Sequence, residues 1–144
     1  MSKDVPQAYQ FSEVFEGQET QFEVCITEAL MAQFEALSGD HNPLHNDAVY
    51  AESTLFGERV VYGFLCGSFF SQLIGMHLPG RHAVYLSQDL RFHAPARIGM
   101  SITVKGTVVQ KIEAVQALKI KTEVFDTHKK QLLINGFAMV KMLV

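Results

Sequence analysis

Apolar Phe22, Val24 and Ile26 alternate with Gln21, Glu23 and Cys25, the period of two that marks a half-buried strand. Phe11 to Phe15 carries a weaker strand signal. From Thr27 the period lengthens: Leu30, Met31, Phe34 and Leu37 fall on one helical face, with Thr27 placed to cap the start and Gly39 to end it. Pro43 disfavours helical geometry at Asn42, so Asp40-His41-Asn42-Pro43-Leu44-His45 is expected to be a turn. A second short helix is expected over Asn46 to Glu52, then a connection from Leu55 to Val61.

Between Gly63 and Leu78 the apolar residues Phe64, Leu65, Phe69, Phe70, Leu73, Ile74 and Met76 take up most of the circumference, the pattern of a helix buried nearly all round. Leu78-Pro79-Gly80 ends it. Four strand-like segments follow: roughly Ala83 to His93, Met100 to Ile112, Val115 to Thr127 and Gln131 to Val144. Ile102, Val104, Gly106 and Val108 alternate in one, and Leu118, Ile120, Thr122 and Val124 in the next. Short turns between long strands predict an antiparallel meander. One buried helix with a sheet of about five or six strands is an α+β architecture in which the sheet wraps the helix.

Composition narrows the function classes. With 144 residues the chain is expected to be one domain over 1–144. Hydrophobic residues make up 48% and charged residues 19%, a globular composition that can build a core. A net charge of −3 argues against nucleic acid as a partner. The stretch from Val60 to Leu78 is broken by Gly63, Gly67, Ser68, Ser71, Gln72, Gly75 and His77, so no membrane partner is expected. The start, MSKDVPQAYQ, lacks the apolar core of a secretion signal, and two cysteines allow at most one disulfide; a soluble protein of the reducing cytoplasm is expected.

Candidate chemistry centres on Asp40, Asn42 and His45. A turn pinned by Gly39 and Pro43 can bring a carboxylate and an imidazole to one point, where they could hold and deprotonate a water. On spacing alone a plain turn with a surface histidine fits better, because Asp-x-Asn-Pro is common turn chemistry. Cys66 near a helix start is expected to be a small buried hydrophobe, and Cys25 to be inert. Neither cysteine has the spacing of a metal site. His41, His77, His82, His93 and His128 are scattered and are expected to be structural or exposed. Arg59, Arg81, Arg91 and Arg97 have the chemistry to bind phosphate, but a solvated face is the expected place for each.

The run Ala36-Leu-Ser-Gly-Asp-His-Asn-Pro-Leu-His-Asn-Asp-Ala-Val-Tyr-Ala51 resembles the signature of the MaoC-like dehydratases, in particular the (R)-specific enoyl-CoA hydratases of hydratase-2 type. Tyr62-Gly-Phe-Leu-Cys-Gly-Ser68, Leu78-Pro-Gly80 and Tyr85-Leu-Ser-Gln-Asp-Leu-Arg-Phe92 continue the resemblance, which spans about residues 9 to 142. It implies a hot-dog fold, a curved antiparallel sheet around a long central helix. It also implies a catalytic pair, Asp40 and His45, and a backbone N–H of Gly63 that receives the thioester oxygen. Asn42 and Ser68 are implied as supporting residues. The family usually carries histidine before the helix glycine, where this chain has Tyr62, which keeps a hydroxyl for hydrogen bonding.

The resemblance further implies a hydro-lyase needing no cofactor, acting on an acyl-CoA thioester. It implies a homodimer or higher homo-oligomer whose protomers pair sheets edge to edge, with the sites at the interface. A dehydratase of acyl groups on acyl carrier protein would use the same pair. A hot-dog thioesterase would direct water to the carbonyl instead, and a non-catalytic acyl-binding subunit would keep the fold alone.

Overall fold

The computed structural model describes residues 5–144. Its first strand, β1 (Glu19–Cys25), exposes Gln21, Glu23 and Cys25 and turns Phe22 and Val24 towards the core, as alternation requires. Phe11–Glu13, expected as a weak strand, is instead a 3₁₀ turn. Glu13 reaches back to the Gln10 N–H at 2.8 Å, a reciprocal cap that closes the turn, and Phe11 and Val14 are buried beneath it.

Helix α1 (Glu28–Ser38) starts where Thr27 Oγ1 accepts the Leu30 N–H at 3.2 Å. It stops at Gly39, whose φ of 73° is left-handed and suited to glycine. Leu30, Met31 and Phe34 pack on the core, but Leu37, expected on the same face, is 85% exposed. Two short helices follow, α2 (Pro43–Asn46) and α3 (Ala48–Glu52), so helical structure begins at Pro43, inside the segment expected as a turn. The proline suits the first helical position because its missing N–H would have no intrahelical acceptor there.

Helix α4 (Gly63–Gln72) continues into a π turn at Leu73–His77, together filling the expected helix. Leu65, Cys66, Phe70, Leu73 and Ile74 are buried. Burial on nearly all sides does not hold, however: Phe64 is 66% exposed, and Ser68, Ser71 and Gln72 share its open side. The sheet covers one face of the helix, and the serines and glutamine occupy the side it leaves uncovered.

The remaining strands are β2 (Ala83–Gln88), β3 (Arg91–Phe92), β4 (Ser101–Ile112), β5 (Ala117–Asp126) and β6 (Leu132–Met142). The sheet order is β1-β4-β5-β6-β2, with β3 also on β6, and every pairing is antiparallel. The meander holds for β4 to β6. It fails for β2, which crosses to the far edge because β1 and β5 occupy both sides of β4. The expected strand Ala83 to His93 is split at Asp89. That carboxylate accepts the Phe137 N–H at 3.0 Å in place of a ladder bond, and the Asp89 carbonyl lies where a Cβ on residue 136 would be, so only Gly136 fits.

Irregularities at Tyr85/Ser87, Val108/Gln110 and Val124/Phe125 bend the strands. The sheet presents Ile102, Val104 and Val124 to the first half of α4 and Val108, Ile120 and Val140 to its end. At Gly106 a Cβ would lie 2.9 Å from Leu73, so the missing side chain lets the helix sit down on the sheet. This is the hot-dog arrangement, and it leaves the N-terminus of α4 beside the loop from Gly39 to His45.

Candidate active site

The loop between α1 and α2 is built by its own side chains. Ser38 Oγ accepts the Asp40 N–H at 3.1 Å, and Asp40 Oδ1 accepts the Asn42 N–H at 3.0 Å. Asn42 Oδ1 then accepts the Leu44 N–H at 3.0 Å and so caps α2. These two-residue bridges are the turn chemistry of short polar side chains. One carboxylate oxygen of Asp40 is thereby occupied, and the other accepts no hydrogen bond among the described residues. Glu35 clamps the loop from α1, accepting from Asn46 Nδ2 at 3.2 Å and bonding His41 Nδ1 at 2.8 Å. The hydrogen bonds from His41 and Asn46 hold the Glu35 carboxyl below its ordinary pKa.

His45 follows on α2, half-buried. Its Nδ1 lies 2.8 Å from the Val60 carbonyl oxygen. A carbonyl can only accept, so Nδ1 carries the proton and the neutral ring keeps its lone pair on Nε2. The ring stacks on Tyr62 with centroids 4.1 Å apart. Tyr62 is only 3% exposed, and its hydroxyl donates to the Asp40 carbonyl at 2.8 Å. Burial foremost, with the charges of Glu35 and Asp40, raises its pKa, so the phenol stays protonated and remains a donor. Arg59, expected on a solvated face, holds the same loop: Nε donates to the His45 carbonyl at 2.7 Å while the guanidinium grips Glu28 at 2.8 and 3.2 Å. Arg91 and Arg97 are paired too, with Asp89 at 3.3 Å and Glu58 at 3.2 Å.

Gly63 is the first residue of α4. Its N–H has no intrahelical acceptor and sits at the positive end of the helix dipole. Asp40, His45, Tyr62, Gly63 and Ser68 line one cavity of about 680 Å³, together with apolar Phe34, Phe64, Leu90 and Phe92. Of the six site residues that the family resemblance implies, Asn42 alone is absent from that wall; its side chain works behind it, in the turn. Ser68 Oγ donates to the Leu65 carbonyl of its own helix at 2.6 Å, leaving its oxygen lone pairs to the cavity. The arrangement offers a carboxylate oxygen and an imidazole lone pair on one side and a backbone donor at the helix start.

Phe92, Val60 and the tie made by Arg59 escaped the sequence reading. Phe92 carries no polar atom and stands 47 positions from His45 and 52 from Asp40, so only the fold reveals its place. Cys66 is buried and its thiol is pushed up to about 12 by burial, which removes it as a nucleophile. Both cysteines are free. Among the described residues no three histidine, cysteine or carboxylate groups converge as metal ligands, and no helix is long and apolar enough to cross a membrane.

The family model described as a MaoC like domain matches residues 11–130. An (R)-specific enoyl-CoA hydratase of Rhodospirillum rubrum is 34% identical over 140 residues, covering 97% of this chain and 96% of that protein. An (R)-specific enoyl-CoA hydratase of Aeromonas caviae is 36% identical over 126 residues, covering 88% and 93%. Among solved structures, the unliganded R-hydratase PhaJ1 of Pseudomonas aeruginosa superposes with a TM-score of 0.89 at 34% identity, covering 95% of this chain and 87% of that one.

Proposed function

The chain belongs to the MaoC-like domain family, and on that premise we propose that it catalyses the reversible addition of water to trans-2-enoyl-CoA, giving (R)-3-hydroxyacyl-CoA. The observation that carries this reading is the meeting of Asp40, His45 and the helix-start Gly63 on one cavity, in a chain that matches (R)-specific hydratases over nearly its whole length.

The reaction needs a base for water near C3 and a donor for the charge that builds on the thioester oxygen. In the proposed mechanism Asp40 and His45 hold one water, and His45 Nε2, free because Nδ1 is tied to Val60, accepts its proton. The water oxygen bonds to C3 as the C2=C3 electron pair shifts towards C1. The enolate-like oxygen is stabilised by the Gly63 N–H and the helix dipole. The proton taken up by the pair then returns to C2 and completes the C2–H bond, so no proton is lost overall. Hydroxyl and proton both come from the side of the cavity holding Asp40 and His45, so the addition is syn.

Asp40→Asn and His45→Ala should each lower kcat for crotonyl-CoA hydration by about 10²–10⁴ with the fold retained. Wild-type turnover in either folded variant would reject the assignment, and an (S) product on chiral analysis would reject the reaction.

The working unit proposed is a homodimer joined through the edge strand β2. That edge carries exposed Val84, Tyr85 and Leu86 and no charged side chain, unlike natural edges left open to solvent. Asp40 and Phe64 are also exposed in the single chain, as expected of a site that a second protomer helps to cover.

A further inference from the structure

A second cavity, about 360 Å³, lies beside the first and is lined by apolar side chains that include Val60, Val61, Ala96 and Ile134. Three residues line both cavities: His45, Gly63 and Phe92. They are the walls the two cavities share, a neck where one would open into the other. Phe92 closes this neck tightly, since a Cβ placed on Gly63 would lie 2.6 Å from its Cε1 and 2.9 Å from its Cδ1. Its ring packs near Phe64 with centroids 5.8 Å apart, and its backbone is held against Ile134 of β6.

With the hydratase reading as the premise, two walls of the neck have chemical duties. The thioester oxygen belongs at the Gly63 N–H, and the water that attacks C3 belongs at His45. C2, the atom between them, then faces the third wall. We propose that Phe92 determines specificity at C2: its ring admits a hydrogen there and excludes a methyl group, restricting the enzyme to 2-enoyl thioesters unbranched at C2. Phe92 is 51% exposed in the chain, so its truncation widens the neck without hollowing the hydrophobic core.

The test compares kcat/KM for crotonyl-CoA and for trans-2-methyl-2-butenoyl-CoA, which differ by one methyl at C2, in wild type, Phe92→Leu and Phe92→Ala. Each ratio is measured on one preparation, so any inactive fraction cancels, and the lower intrinsic reactivity of the branched substrate cancels between variants. A single methyl group at a tight wall is worth on the order of 10–200-fold. Wild type should therefore prefer crotonyl-CoA by at least that much, and Phe92→Ala should shrink the preference by about tenfold or more, with Phe92→Leu between. A preference unchanged in Phe92→Ala, or absent from wild type, overturns the role of Phe92 and leaves the hydratase reading standing. Wild type that hydrates neither substrate overturns both.

Discussion

Tyr62 joins the parts of the site that differ most in sequence position. Its hydroxyl holds the Asp40 carbonyl at 2.8 Å, its ring stacks on His45 at 4.1 Å and packs at a tilt against Phe34 at 4.8 Å, and its own backbone leads into Gly63. Replacing it with phenylalanine keeps the stacking and removes only the donor. A net hydrogen bond is worth roughly 0.5–1.5 kcal/mol, so Tyr62→Phe should lower kcat about 2–12-fold, by loosening Asp40, with KM nearly unchanged. A kcat equal to wild type would show that the hydroxyl does not position the loop. At this scale the sequence is most readable where residues act locally. Thr27, Gly39, Asp40 and Asn42 do what their types and spacing imply, because each bonds a backbone group within four positions. Arg59 and Val60 reach His45 from 14 and 15 positions away, and no local pattern announces such a contact.

Among the elements, the central helix is the hinge of the design, and its end is anchored through His77. That imidazole stacks on Phe22 of β1 with centroids 4.9 Å apart, and burial lowers its pKa. The unfolded chain therefore binds a proton that the folded chain resists. The contribution to stability is full above the ordinary histidine value of about 6.5 and is lost as pH falls below it. Thermal melts at about pH 7.5 and about pH 5.5 should show a larger acid-side loss in wild type than in His77→Gln; equal losses would remove His77 from the account. The helix itself was legible in the sequence because apolar residues take up most of its circumference and Leu78-Pro79-Gly80 ends it. Its open side was not, since Phe64 looks like core until the sheet is seen to stop short of it. The break between β2 and β3 was equally hidden, as it depends on Asp89 crossing Gly136, 47 positions away.

For the whole molecule, an uncharged edge strand and a half-open cavity lead to one expectation. Sedimentation should give a mass about twice 16.1 kDa, and Leu86→Lys, which puts a charge on the β2 edge, should shift the protein towards monomer and lower hydration with it. A wild-type monomer with full activity would contradict the dimer. The amino-acid sequence alone determined the α+β class, the central helix, the long strands and the turn at Asp40 that leads to His45. Those follow from periodicity, caps and turn-forming residues, all of which act over a few positions. Tertiary structure alone decided that β2 crosses to β6, that Tyr62 and Arg59 brace the loop, and that Phe92 closes against Gly63. Each of these depends on which distant segments the sheet brings together as it bends around the helix, and packing in three dimensions leaves no period in the chain.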